Sequence, residues 1–202
     1  MLYDPGQSVD FLYFPADSLV SLVSLMQNGQ SSELALVGPE GVVGVAAFLG
    51  GNNTPFRSVV QSAGTGLRLP AKALQEEFEK DPGVRRVLLR YIQSLITNLA
   101  QSGACNRHHS IEQQLSRWLL TSMDRLDTDE LNMTQELIAN MLGVRREGVT
   151  EAAGRLQRDG MIHYKRGHIK VLDRARLESS SCECYAVVNR EMKRLNSFFD
   201  ED

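Results

Sequence analysis

The sequence predicts an α+β protein with an N-terminal antiparallel β-domain, a long dimerisation helix and a C-terminal winged helix-turn-helix. Three observations predict it. Residues 2–70 are short runs rich in Val, Leu and Phe, cut at close intervals by turn chemistry. The stretch from 84 to about 103 carries two apolar stripes at helical spacing. Residues 134–160 combine a helix cap, a glycine turn and an exposed-looking Arg145-Arg146-Glu147 in the order a DNA-reading helix pair needs. The boundaries that follow are 1–80 for an effector-type β-domain, 81–109 for the long helix and hinge, 110–178 for the DNA-binding domain, and 179–202 for a C-terminal extension.

In the β-domain, Asn28-Gly29 lies between runs at 19–26 and 33–37 and is suited to the two positive φ angles of a type I′ hairpin turn. A short helix is expected over 71–79. Asp81-Pro82 then gives a cap followed by proline in the first turn, where its missing N–H costs nothing. The long helix that follows places Leu88, Tyr91 and Leu95 on one stripe, and Leu89, Ile92, Ile96 and Leu99 on an adjacent one. Two stripes need two partners. The chain's own β-domain covers one; the same helix of a second subunit would cover the other, giving a two-fold homodimer. A central helix buried in a monomer is the alternative.

Residues 111–126 form an amphipathic helix with Leu115, Trp118, Leu119 and Met123 on one face. Thr134 caps the next helix, with Glu136 in its first turn against the positive end of the dipole. Ile138, Leu142, Val144, Val149 and Ala152 are spaced so that two short helices share a core, and Gly143 marks the turn between them. A plain helical hairpin has no reason to put Arg145-Arg146-Glu147 at the start of its second helix. An arginine there can donate two bonds to guanine, and a glutamate can accept from a cytosine amino group, so Arg146 and Glu147 are expected to read bases. Thr134, Arg145 and Thr150 are expected to contact phosphates, which fix register without reading sequence. Beyond Gly160, residues 161–164 and 168–172 read as two strands joined by a basic turn, a wing whose Lys165, Arg166 and His168 would follow the DNA backbone.

Charge supports the division. The chain has 22 Lys and Arg against 25 Asp and Glu, net −3. Residues 1–81 hold 4 against 9, net −5, whereas 143–174 hold 8 against 4, net +4. The acidic total hides a basic module, as expected for a double-stranded DNA partner. No apolar run approaches the ~20 residues of a membrane span, and no leader-like segment opens the chain, so a cytoplasmic, non-membrane protein is expected. The strand-like start leaves open whether an N-terminal element is missing. No glycine-rich phosphate loop, paired carboxylates or nucleophile–base arrangement points to an enzyme. Cys105, Cys182 and Cys184 lack the spacing of a zinc or iron–sulfur motif, and no thiol or carboxylate is read as placed to assist His108-His109; these residues are expected to be structural, with no metal and no cofactor. A final helix is expected over about 185–199.

With these elements in order, the chain resembles the family of the cyclic-AMP receptor protein and Fnr over nearly its full length. The closest correspondence is Thr134–Gly160, where Gly143-Val144-Arg145-Arg146-Glu147 matches that family's glycine, turn and Arg-Glu reading pair. The resemblance implies a cyclic-nucleotide-binding-like β-roll, a dimer whose effector domain sets the reading helices, and contact with RNA polymerase. It also implies departures. The family's Gly-Glu-Leu-Gly turn is here Gly41-Val42-Val43-Gly44, although the Arg-Ser pair survives as Arg57-Ser58; the Thr-Ser pair of the long helix falls near Ala100-Gln101. Cyclic AMP is therefore disfavoured, and Arg57 is either an anion clasp or a structural arginine. Glu151 stands where the family has an arginine, which makes it a third candidate base reader and implies a different operator. The Fnr cysteines are not reproduced. The expected function is a sequence-specific DNA-binding regulator whose small-molecule effector is unidentified or absent; the alternative is a sensor acting through protein contacts, with degenerate DNA binding.

Overall fold

The computed structural model describes residues 1–196; the expected end of the last helix at 199 lies outside the described residues. Five strands build the N-terminal domain: β1 (Phe11–Pro15), β2 (Leu19–Leu25), β3 (Ser31–Val37), β4 (Arg57–Ser62) and β5 (Gly66–Pro70). They pair antiparallel as two sheets, β1-β5 and β3-β2-β4. Period-two alternation in β2 sends Val20 and Leu22 into the roll core and Val23 to the opposite face. A bulge between Leu22 and Val23 leaves Leu34 without an opposite residue: Leu22 pairs with Ala35 and Val23 with Glu33. The bulge thereby turns Glu33 onto the face of Ser21 and Val23, which the C-terminal domain covers.

The hairpin joining β2 and β3 differs from the expected two-residue turn. Gly29 has φ 83°, but Asn28 is not among the positive-φ residues. Gly29 N–H donates to Met26 O at 3.0 Å and Met26 N–H to Gln30 O at 2.8 Å, which closes a three-residue loop ending in a left-handed glycine.

Helix α1 (Ala71–Lys80) leads into α2 (Pro82–His108), whose 27 residues span about 40 Å. Asp81 caps α2 by accepting from the N–H groups of Gly83 at 2.6 Å and Val84 at 3.3 Å. Two residues beyond α2, Ser110 caps α3 (Ile111–Leu126) through a reciprocal capping box with Gln113. The hinge between the halves of the molecule is thus the extended pair His109-Ser110.

The C-terminal domain continues with β6 (Glu130–Asn132), α4 (Gln135–Leu142), α5 (Arg146–Arg158), β7 (Ile162–Lys165), β8 (His168–Val171), α6 (Arg174–Ser180) and α7 (Glu183–Asn196). Strand β8 lies between β6 and β7. Trp118, Leu119, Ile138, Val149, Ala152 and Leu156 form the centre of one core, which also takes in Val23 and Leu36 from the β-domain.

Helix α2 has three faces rather than two. Leu88 and Leu95 are buried on the β-roll core, with Tyr91, Ile92 and Leu99 partly buried against it. Helix α7 runs back along a second face, where Gln93 bonds Glu191 and Gln101 bonds Cys184. The third face is open: Leu89 is 48% and Ile96 58% exposed, with Ala100 and Gly103 also exposed. The expected second stripe is therefore divided, since Ile92 and Leu99 turn inward and Leu89 and Ile96 stay out.

Candidate nucleic-acid interface

Helices α4 and α5 meet at Gly143, which adopts φ 67°, ψ 32° and is favoured there because a side chain is strained in that region. A Cβ on Gly143 would also lie 3.1 Å from Ser32 Cβ, so the turn sits directly on the β2–β3 hairpin. Thr134 Oγ1 accepts from Leu137 N–H at 3.2 Å, as its capping position predicts. Arg145 holds the cap position of α5 without a capping side-chain bond, leaving its guanidinium exposed.

Arg145, Arg146, Glu147, Thr150 and Glu151 are all exposed at the N-terminal half of α5, with Arg146/Thr150 and Glu147/Glu151 four residues apart on adjoining rows. Among the described residues, Arg145, Arg146, Glu147 and Glu151 form no ion pair, whereas further back Arg155 is held by Glu112 at 2.5 Å and Arg174 by Asp124 at 2.5 Å. Thr150 Oγ1 is engaged within the domain, donating to Gln135 Oε1 at 2.7 Å and close to Arg146 O at 3.0 Å. That bond ties α5 to the first turn of α4.

The wing is a two-residue hairpin. Lys165 pairs with His168, and Arg166 and Gly167 have φ 53° and 85°, so the type I′ geometry expected at Asn28-Gly29 occurs here instead. Gly167 O accepts from Met133 N–H at 2.6 Å, and Tyr164 Oη donates to Met133 O at 2.7 Å; together these fix the wing against the lead into α4. Arg166, Gly167, Tyr164, Thr134, Gln135, Glu136 and Arg146 line one shallow cleft. The structure thus brings Arg146, a candidate base reader, beside Thr134 and Arg166, two candidate phosphate contacts. His168 is turned to Glu130, with Nε2 3.1 Å from its carboxylate, and Lys170 Nζ holds the same carboxylate at 2.8 Å. The adjacent Lys170 ammonium holds the Glu130 carboxyl below its usual range.

The four candidate effector residues separate. Gly44 and Ser58 line a cavity of about 570 Å³ in the β-roll, together with Leu22, Val43, Leu49 and Phe56. Arg57 is absent from that lining; it is partly exposed, with its Nε 2.6 Å from the Asp4 carboxylate. Among the described residues no Lys or Arg lines the cavity. Gly41 serves the long helix: a Cβ there would lie 2.8 Å from the Tyr91 ring, whose Oη donates to Val42 O at 3.0 Å. Burial pushes the Tyr91 hydroxyl well above its ordinary value.

Sequence reasoning missed two features. One is the joint between the halves. Glu33 accepts from Ser21 Oγ at 2.6 Å and Trp118 Nε1 at 3.0 Å, and Arg125 Nε donates to Glu40 at 2.6 Å. Desolvation raises the Glu33 carboxyl above its ordinary value, against those two hydrogen bonds. The other is that the thiols meet one of the histidines: the ligand atoms of Cys105, His109, Cys182 and Cys184 lie within 4.8 Å of one another, whereas the sequence reading had placed no thiol to assist His109. The local signals were Cys105 and His109 one helical turn apart, and the Cys182-x-Cys184 pair; their meeting across some eighty residues had none. No helix among the described residues is long and apolar enough to cross a membrane.

Comparisons with known proteins agree with this geometry. The family model described as a cyclic nucleotide-binding domain matches residues 1–81, and that described as a Crp-like helix-turn-helix domain matches residues 113–180. The global nitrogen regulator of Nostoc sp. (strain PCC 7120 / SAG 25.82 / UTEX 2576) is 23% identical over 179 residues, covering 84% of this chain and 80% of the relative. Among solved structures, a transcriptional regulator of the CRP family from Thermus thermophilus superposes with TM-score 0.75 at 22% identity, covering 89% of this chain and 92% of that one. FixK2 from Bradyrhizobium japonicum gives TM-score 0.74 at 17% identity, covering 90% and 92%. With a cyclic nucleotide-binding domain followed by a long helix and a Crp-like helix-turn-helix, the chain belongs to the Crp/Fnr family of transcription regulators.

Proposed function

We propose that the protein is a homodimeric, sequence-specific regulator that reads the major groove of operator DNA with the N-terminal half of α5. The observation that carries this reading is the row of exposed charges at Arg145, Arg146, Glu147 and Glu151, without ion-pair partners among the described residues, in a domain whose other arginines on α5 and α6 include paired ones. Long charged side chains left without partners cost nothing in water and are ready to exchange hydration for base edges and phosphates. Arg146 and Glu147 are the proposed readers, with Glu151 one turn on. Thr134, Arg145, Lys165 and Arg166 are the proposed backbone contacts; Thr150 and His168 act less directly, as their bonds to Gln135 and Glu130 support.

The open face of α2 supports the dimer, because Leu89, Ile96, Ala100 and Gly103 form a narrow seam with small residues at its lower end. The β-roll cavity, apolar and without a cation among its described lining residues, suits a small uncharged or weakly polar effector and not the phosphate of a cyclic nucleotide. Contact with RNA polymerase is the expectation that family membership brings. Selection of bound duplexes from a random pool at about physiological salt tests the reading, since specificity has meaning only at stated salt. A two-fold symmetric site supports it, and equal retention of all sequences overturns it.

A further inference from the structure

Cys105, His109, Cys182 and Cys184 come from two places far apart in sequence. Cys105 lies in the last turn of α2 and His109 directly follows that helix, and Cys182 and Cys184 flank the start of α7. All three thiols are buried and form a small cluster of their own, separate from both main cores. Cys105 Sγ lies 3.5 Å from Cys182 Sγ, and Cys184 Sγ lies 3.5 Å from His109 Nδ1. A zinc–thiolate bond of about 2.3 Å gives a tetrahedron with an edge of roughly 3.8 Å, close to these separations. An iron–sulfur cluster places its protein ligands on different irons, spread by the cluster's own atoms, and four ligand atoms that all approach within 4.8 Å leave little room for one.

The surroundings suit a metal ion. His109 turns Nδ1 to the thiols while its Nε2 lies 3.2 Å from the Glu183 carboxylate, the arrangement that fixes ring orientation in metal-binding histidines. Gln101 Nε2 donates to Cys184 Sγ at 3.1 Å. Arg117 is 8% exposed, its Nε has no hydrogen-bond partner among the described residues, and its positive charge acts on Cys105. A divalent ion with three thiolates and a neutral imidazole carries net −1, which that guanidinium offsets.

We infer that these four side chains bind one divalent metal ion of the zinc type, pinning the start of α7 to the end of the long helix beside the His109-Ser110 hinge. On binding, the thiols that still hold protons release them to solvent; no redox step is involved. Because α7 lies along α2 and Cys105 and His109 lead into α3, the ion would set the angle between the dimer helix and the DNA-binding domain. This lies outside the β-roll cavity and stands independently of the DNA reading.

The test uses the full chain, purified anaerobically without a metal-affinity step, with metal and acid-labile sulfide measured together and cobalt(II) added to the metal-free protein. About one zinc per chain, and a cobalt form with thiolate charge-transfer and strong tetrahedral visible bands, are expected. Cys182→Ser/Cys184→Ser and His109→Ala should lose the bands or the stoichiometry, while the neighbouring His108→Ala keeps both. Glu183→Gln should weaken metal affinity by roughly 10- to 100-fold with the same spectrum. Circular dichroism of each variant separates ligand loss from unfolding. Iron with sulfide, a Cys105–Cys182 disulfide in the metal-free chain that resists cobalt, or only the pale spectrum of six-coordinate cobalt would each overturn the proposal.

Discussion

At the scale of single residues, Arg146 is the proposed base reader and Lys165 the proposed backbone contact. Arg146 sits at the first turn of α5, and Lys165 at the edge of the wing hairpin. Arg146→Ala is expected to cost about 1–3 kcal/mol at one base pair and relax preference there, whereas Lys165→Ala weakens all duplexes alike and lowers the salt slope. Binding measured on single-base variants of a selected site checks both. Its place in the cleft with Thr134 and Arg166 gives the competing result a concrete form: equal losses on all sequences would make Arg146 a phosphate contact. Glu33 carries a second residue-scale prediction. Its folded pKa is raised, so its contribution to stability is fully present below the ordinary carboxylate value and is lost as pH rises through the raised value. Glu33→Gln keeps an acceptor for Trp118 and removes the ionisation. Thermal unfolding of this variant should be at least as high as the parent's near neutral pH, with a flatter decline as pH rises above the ordinary carboxylate range. A variant melting lower at all pH values would show that the charged form is what the joint requires.

At the scale of elements, the seam on α2 is the most direct target. Ile96 is exposed within one chain, so Ile96→Glu should leave the fold intact, shift sedimentation toward monomer and weaken binding to a two-fold site on the order of 10²–10⁴ through loss of the second half-site contact. A dimer that survives would place the interface elsewhere. Most of the helices were legible in the sequence, because caps and periodicity are local, although α6 was not expected. Asp81-Pro82, Thr134 and Gly143 mark boundaries in the structure where the residues suggested, whereas the Ser110 capping box was not read from the sequence. Turn geometry was less so: Asn28-Gly29 has the composition of a type I′ turn, but the strand register around the Leu22/Val23 bulge is closed by a longer loop, while Arg166-Gly167 adopts the tighter form. Nor did periodicity reveal that α2 has three faces. It shows which residues are apolar, not that α7 occupies the side containing Gln93 and Gln101.

At the scale of the molecule, three stations lie along the chain: the β-roll cavity, the α2 hinge with its thiol cluster, and the α5 face. Arg57 shows why the cavity was only partly legible. The Arg57-Ser58 pair is present in the sequence, but Arg57 does not line the cavity and its ion-pair partner, Asp4, is fifty-three residues away. Cyclic AMP at about millimolar concentration is accordingly expected to leave thermal stability unchanged, since a ligand stabilises only through binding to the folded state; a concentration-dependent rise would restore the cyclic-nucleotide reading. The hydrogen bonds from Trp118 to Glu33 and from Arg125 to Glu40 join the roll to the DNA-binding domain within one chain. The most direct measurement of the central claim is selection of random duplexes by the full-length protein at about physiological salt, with and without a metabolite pool. The account predicts enrichment of a two-fold symmetric sequence whose half-sites lie about one helical turn apart. Retention of every duplex alike under both conditions, by protein shown to be folded, would contradict it.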